Sequence, residues 1–211
     1  IEDYAGISAM TTKRTALILG ISGQDGTYLA RFLLQKGYRI FGTSRDVQRA
    51  SAENLKRLGI HEAVQLLSVS INDFRSVLHA IALSEPDEIY NLTGQSSVAL
   101  SFEQPVETFE SITVGTLNLL ECIRFISKPI RLYNACSSEC FGHTGEHPAD
   151  ETTPFRPRSP YAVSKAAAIW QVANYREAYD IFSCSGLLFN HESPLRPQRF
   201  VTQKIVYAAC R

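Results

Sequence analysis

Leu17-Ile-Leu-Gly-Ile-Ser-Gly-Gln-Asp-Gly-Thr27 decides how the chain is read. A short apolar run ends at Gly20, Gly23 and Gly26, and a helical pattern begins at once. In that setting each glycine has a task. Gly20 lets the chain turn sharply out of a strand, Gly23 lets the backbone approach a pyrophosphate, and Gly26 lets the helix pack close to the sheet. The helix N-terminus offers free N–H groups and the positive end of its dipole to phosphates. Gln24 and Asp25 lie in the same turn and are expected to share in cofactor binding. Taken alone, three glycines between a strand and a helix also fit a plain turn.

The flanking sequence favours the first reading. Thr15 to Leu19 reads as a buried strand and Thr27 to Lys36 as a helix stopped by Gly37. Further strands are expected at Tyr38–Thr43, Val64–Val69, Glu88–Leu92, Pro129–Ala135 and Ile181–Phe189. Helices are expected at Asn54–Leu58, at Asp73–Leu83 with Asn72 or Asp73 as cap, at Pro105–Ile126 and at Pro160–Tyr179. After the fourth strand comes a polar turn, Thr93 to Ser97, where that strand's end could face the cofactor. Strands alternating with helices predict an α/β fold, a doubly wound parallel sheet of the Rossmann type. Ligands then belong at the carboxyl ends of the strands.

With 211 residues, 45% hydrophobic and 20% charged, the chain has material for about one domain with a full core. The formal net charge is zero and like charges do not cluster, which argues against a nucleic-acid or acidic-membrane partner. The five cysteines, Cys122, Cys136, Cys140, Cys184 and Cys210, show no metal-ligand spacing, so buried or inert thiols in a reducing, cytoplasmic setting are expected and no metal is. No apolar stretch is long enough to span a bilayer. The sole methionine is Met10, so residues 1–9 read as an appended leader and 10–211 as the NADP-binding domain with the start of the substrate-binding part.

The strand ends carry the chemistry. After the second strand stands Ser44-Arg45, where an acidic residue would hold the ribose 2′-hydroxyl of NAD. An arginine suits a 2′-phosphate, so NADP is the expected cofactor, with Asp46 next door as the contrary sign. After the fifth strand comes Ala135-Cys-Ser-Ser-Glu-Cys-Phe-Gly142, and then Ser159-Pro-Tyr-Ala-Val-Ser-Lys165. Tyr161 and Lys165 share one helical face. A phenol with a pKa near 10 is a poor base at neutral pH. A lysine ammonium and a positive nicotinamide ring beside it favour the phenolate, which could take the proton of a substrate alcohol as hydride leaves. Ser137 or Ser138 could hold that alcohol oxygen. The Tyr-x-x-x-Lys spacing is cheap in a chain with nine tyrosines; its position beyond a serine pair gives it weight. Glu139 is either a solvated loop glutamate or the base for removing a proton next to a ketone.

These stretches resemble the extended short-chain dehydrogenase/reductases, in particular their GDP-mannose 4,6-dehydratase branch. The likeness rests on Gly-Ile-Ser-Gly-Gln-Asp-Gly-Thr-Tyr-Leu (20–29), Ser-Ser-Glu-Cys-Phe-Gly (137–142) and Pro-Phe-Arg-Pro-Arg-Ser-Pro-Tyr-Ala-Val-Ser-Lys (154–165). Asn-Tyr-Arg-Glu-Ala-Tyr (174–179), Leu-Phe-Asn-His-Glu-Ser-Pro (188–194) and Phe-Val-Thr-Gln-Lys-Ile (200–205) complete it. The resemblance implies an internal redox cycle on a nucleotide sugar. Tyr161, helped by Lys165, would take the 4-hydroxyl proton while hydride passes to NADP; Glu139 would remove the proton at carbon 5; water would leave from carbon 6, where the hydride returns. Ser137 stands where the family usually has threonine and keeps the hydroxyl. By the same likeness Asn190 and Lys204 would meet the nucleotide sugar, His191 the nicotinamide end, and Glu192 and Arg199 would line the substrate site. The family also implies homodimers or homotetramers, built here on the long helices.

Three departures bear on this. Leu19 replaces a common threonine at a packing position, Ser70-Ile71 replaces an aspartate that meets the adenine, and the chain ends at Arg211 where family members continue. A chain truncated before most of the substrate lobe is therefore expected. A GDP-manno-heptose dehydratase, a nucleotide-sugar epimerase or reductase needing only Ser, Tyr and Lys, and a dinucleotide sensor without turnover remain as alternatives.

Overall fold

The computed structural model describes residues 13–48 and 51–211; Met10 and the expected leader lie outside the described residues. Six parallel strands form one sheet, β1 (Thr15–Leu19), β2 (Arg39–Ser44), β3 (Val64–Ser68), β4 (Glu88–Asn91), β5 (Arg131–Ser137) and β6 (Ser183–Leu188). Their order is β3-β2-β1-β4-β5-β6. The order reverses between β1 and β4, and a crevice opens at such a reversal. The expected Rossmann-type α/β fold is therefore the one observed.

The apolar runs of the central strands explain their placement. All five residues of β1 are buried, as a strand covered on both faces requires. Leu17, Leu19 and Ile89 face one core with Val77, Leu119, Leu120 and Val172, contributed by α3 (Phe74–Ser84), α6 (Gly115–Ile126) and α7 (Pro160–Tyr179). Ala16 and Ile18 face the other core with Ala30, Leu33 and Leu55, from α1 (Gln24–Gln35) and α2 (Glu53–Arg57).

The helices differ from the sequence expectation in instructive ways. α1 begins at Gln24 rather than Thr27, with Gly23 as its N-cap. Gly26 thus sits inside the first turn, because a Cβ there would lie 2.5 Å from the Gly20 carbonyl oxygen. The stretch expected as one helix over Pro105–Ile126 is α5 (Pro105–Phe109), a π-helical turn at Glu110–Val114, and α6. A short helix, α4 (Val98–Glu103), was not anticipated; Ser97 caps it by accepting from Leu100 N. Nor was α8 (Val201–Ala209), which buries none of its residues. Asp73 is the cap of α3, accepting from Arg75 N.

Register completes the positioning. Asn91, the last residue of β4, pairs with Asn134, so β5 runs on through Ala135, Cys136 and Ser137 against β6 alone. Ser137 therefore projects past the end of β4, beside the crevice.

Candidate active site

Ser137 ends β5 and caps the short 3₁₀ turn Ser138–Phe141, accepting from Glu139 N at 3.3 Å. That bond fixes Glu139, an exposed carboxylate, immediately beside the buried hydroxyl. Across the crevice, Ser159 caps α7 by accepting from Ala162 N at 3.0 Å, and Pro160 occupies the first helical position. This start aims Tyr161 and Lys165 inward, and both are buried. Tyr161 rests on Ile112 and Ala168. Lys165 Nζ donates to the Ala135 carbonyl at 2.7 Å and lies 5.9 Å from the Tyr161 ring centre.

Burial sets the protonation of this pair. It holds the Tyr161 phenol above its ordinary value, opposed by the hydrogen bond with Ser137. It pulls the Lys165 ammonium below its ordinary value. The protein alone thus leaves the phenol protonated, and added positive charge in the crevice is needed to release its proton.

A cleft of about 370 Å³ gathers these groups. Asp25, Ser137, Glu139, Tyr161, Lys165, Asn190 and His191 all line it, with Thr93 to Val98 along the opposite wall. His191 bridges two elements: its Nδ1 lies 2.7 Å from the Phe189 carbonyl and its Nε2 lies 2.8 Å from Asp25 Oδ1. Both neighbours are acceptors, so the doubly protonated ring fits, and the Phe189 carbonyl and Asp25 carboxylate raise its pKa. Other expected site residues fall elsewhere. Ser138 is half-buried outside the cleft lining. Glu192 pairs with Arg196 at 3.5 Å, Arg199 donates to Ser96 at 3.3 Å, and Lys204 is exposed on α8. Arg45 is exposed at the end of β2 and sits 3.6 Å from Glu107.

The glycine turn fits a dinucleotide. Gly20 has φ +83° and a Cβ there would lie 2.9 Å from the Leu92 carbonyl oxygen, so the turn is closed on the protein side. Gly23 is the reverse: its Cβ would meet only the Gly20 carbonyl, at 3.4 Å, leaving its outer side clear. No side chain caps α1, so the first-turn N–H groups stay available to a phosphate.

A larger hollow of about 840 Å³ lies at the other end of the sheet, lined by Arg14, Glu88, Arg131 and Phe182 among others. Within it Arg14 and Arg131 both meet Glu88, at 3.5 and 3.8 Å. Among the described residues no cluster of His, Cys, Asp and Glu could hold a metal ion, and no helix is long and apolar enough to cross a membrane.

Sequence reasoning missed Ser193, Arg196 and Phe200 as parts of this neighbourhood, whereas the polar turn Thr93–Ser97, expected near the cofactor, lines the cleft. The only signal for Ser193 was its place in the 188–194 motif.

Known proteins match along most of the chain. It is 48% identical over 203 residues to GDP-mannose 4,6-dehydratase of Vibrio cholerae, covering 92% of the chain and 54% of that protein. It is 45% identical over 212 residues to GDP-mannose 4,6 dehydratase 1 of Arabidopsis thaliana, covering 94% and 58%. The chain thus spans little more than half the length of these relatives. Among solved structures, UDP-glucose 4-epimerase of Thermus thermophilus, in complex with NAD, superposes with a TM-score of 0.80 at 27% identity, covering 92% of this chain and 61% of that one. The dTDP-glucose 4,6-dehydratase of Bacillus anthracis shares the fold, with a TM-score of 0.80 at 22% identity and coverages of 93% and 61%. The family model described as GDP-mannose 4,6 dehydratase matches residues 17–211, and the chain belongs to that family.

Proposed function

We propose that this chain carries the cofactor-binding and catalytic part of an NADP-dependent enzyme converting GDP-mannose to GDP-4-keto-6-deoxymannose. The observation that carries the reading is the convergence of Ser137, Glu139, Tyr161 and Lys165 on one cleft that reaches Asp25, beside the glycine turn. An alcohol oxidation needs only Ser137, Tyr161 and Lys165. A carboxylate beside them supplies the base that elimination requires.

In this reading a nicotinamide held between the glycine turn and the cleft would supply reversible hydride exchange. The protein does the rest. Ser137 Oγ positions the sugar 4-oxygen, and Tyr161 accepts the 4-hydroxyl proton. Lys165, anchored to the Ala135 carbonyl, would add its positive charge to that of a bound nicotinamide ring, the two together favouring the phenolate. Glu139, free of the buried wall, removes the proton at carbon 5 once the 4-ketone has acidified it. Glu139 then passes that proton to the carbon-6 hydroxyl, which leaves as water. Gly20, Gly23, Gly26 and the first-turn N–H groups of Gln24 and Asp25 cradle the pyrophosphate. His191 and Asn190 face the nicotinamide and sugar, while Ser138, Glu192, Arg199 and Lys204, outside the cleft lining, are assigned to the sugar nucleotide from the sequence alone. Incubation of the full protein with NADP and GDP-mannose is expected to lower the nucleotide-sugar mass by one water. An unchanged mass with GDP-mannose, but water loss with GDP-manno-heptose, would move the substrate to the heptose.

Arg45 supports NADP over NAD, since its guanidinium stands free at the end of β2 except for an exposed pair with Glu107. Arg45→Ala is expected to weaken NADPH binding by roughly 10- to 100-fold, the range of a charge-assisted bond, with NADH binding changed less than about twofold. Fluorescence titration of both dinucleotides checks this; equal losses for both would remove the assignment.

A homodimer is also proposed. The long-helix layer leaves Val106, Phe109, Val163 and Trp170 exposed, from 44% to 68%. Sedimentation of the full protein as a monomer at micromolar concentration would contradict it.

A further inference from the structure

Residues 189–200, between β6 and α8, cross the mouth of the cleft and are tied down on both sides. On the α1 side, Gln24 Nε2 donates to the His191 carbonyl at 3.3 Å, and Ser193 Oγ donates to Gln24 Oε1 at 2.7 Å. His191 meets Asp25 alongside them, at 2.8 Å. On the far side Arg199 donates to Ser96 at 3.3 Å. Ser193 is braced in turn: its Oγ accepts from Leu195 N at 3.1 Å, its carbonyl accepts from Gln203 Nε2 at 3.0 Å, and Leu195 is buried.

Gln24 is an unusual residue to find so enclosed. A glutamine in the first turn of a helix is ordinarily solvated, yet Gln24 is only 8% exposed. Its side-chain oxygen and nitrogen are both engaged, by Ser193, the His191 carbonyl and the neighbouring Asp25 carboxylate at 3.2 Å. Its backbone N–H meanwhile belongs to the turn that faces a phosphate. One residue therefore presents its main chain to the dinucleotide site and its side chain to the crossing segment.

We propose that Gln24 and Ser193 form the fastening of a strap, positioning residues that hold Asn190 and His191 over the cleft and keep the dinucleotide in place between the two halves of the reaction. This rests on the function proposed above. In that cycle the hydride removed at carbon 4 must return to carbon 6. If the reduced dinucleotide leaves early, the turnover ends with free NADPH and an unreduced keto sugar. A side-chain bond from the phosphate turn to the strap makes retention a property of the same helical turn that binds.

The test uses the full protein with Ser193→Ala, Ser193→Thr, Gln24→Leu and the Gln24→Leu/Ser193→Ala double variant. Two quantities are measured. One is the rate at which bound NADPH is displaced by excess NADP, followed by its fluorescence. The other is amide hydrogen exchange over residues 189–200 without dinucleotide. Ser193→Ala and Gln24→Leu are each expected to speed NADPH release about ten-fold, the scale of one or two lost hydrogen bonds. The double variant should fall short of the product of the two single effects, because the two residues share one bond, while Gln24 alone holds the His191 carbonyl and Ser193 alone accepts from Leu195 N. Ser193→Thr, which keeps the hydroxyl, should stay near the wild type. Strap amides should exchange faster in the same variants and only there. Release and exchange unchanged in folded variants would overturn the strap while leaving the function standing. Additive effects of the two single variants would likewise refute a shared fastening. A wild type that holds no dinucleotide would remove both the function and the strap.

Discussion

Glu139→Gln is expected to oxidise GDP-mannose at carbon 4 and then stop. Glutamine keeps the size and the polar end, and Glu139 N still donates to Ser137 Oγ, so the 3₁₀ turn and the hydroxyl it positions should survive. What is lost is a base beside the carbon made acidic by the ketone. Removal of a positioned general base slows its step by roughly 10²- to 10⁴-fold, and overall turnover should fall by that amount. Reduced dinucleotide should accumulate on the enzyme in a single turnover, since the hydride has no acceptor. Stopped-flow absorbance of the dinucleotide measures this. Water loss at the wild-type rate in Glu139→Gln would return Glu139 to a solvated loop residue.

Lys165→Met should fail one step earlier. The methionine fills a similar volume, and the contact it removes is the bond to the Ala135 carbonyl. The catalytic cost is larger. Burial already holds the Tyr161 phenol high, and without a neighbouring cation the phenolate becomes rarer still. Reaction depends on the deprotonated phenol, so its pH profile should move to higher pH, with activity recovering as pH rises. At neutral pH the oxidation step should slow by about 10²-fold or more. Tyr161→Phe should lose the step at every pH. A Lys165→Met profile superimposable on the wild type would show that the lysine only packs.

Much of this was legible in the sequence, for local reasons. The glycine turn, the apolar β1 run and the alternation of strands and helices are short-range signals, and they fixed the sheet class. Tyr161 and Lys165 were found from helical spacing, and Ser137 and Glu139 from their place at a strand end. The features that escaped depend on distant partners. Gln24 and Ser193 are 169 residues apart in the chain, and no pattern around either one announces the other. The helical place of Gly26 follows from a contact with the backbone of Gly20 and Ile21, so a residue type that usually ends helices sits in the first turn of one here. α8 was overlooked although Val201, Ile205 and Val206 recur at helical spacing; its apolar residues are all exposed. Glu192 and Lys204 were placed by likeness alone. Glu192 engages Arg196 in its own segment, and Lys204 lies outside the cleft lining.

The central claim is that one hydride leaves and returns within a single active site. The most direct measurement gives the full protein NADP and GDP-mannose carrying deuterium at carbon 4, then locates the label by NMR and mass. The expected product has lost one water, carries deuterium at carbon 6, and forms with no net NADPH. Deuterium recovered in free NADPH, or still at carbon 4 of a sugar that has lost no water, would contradict it.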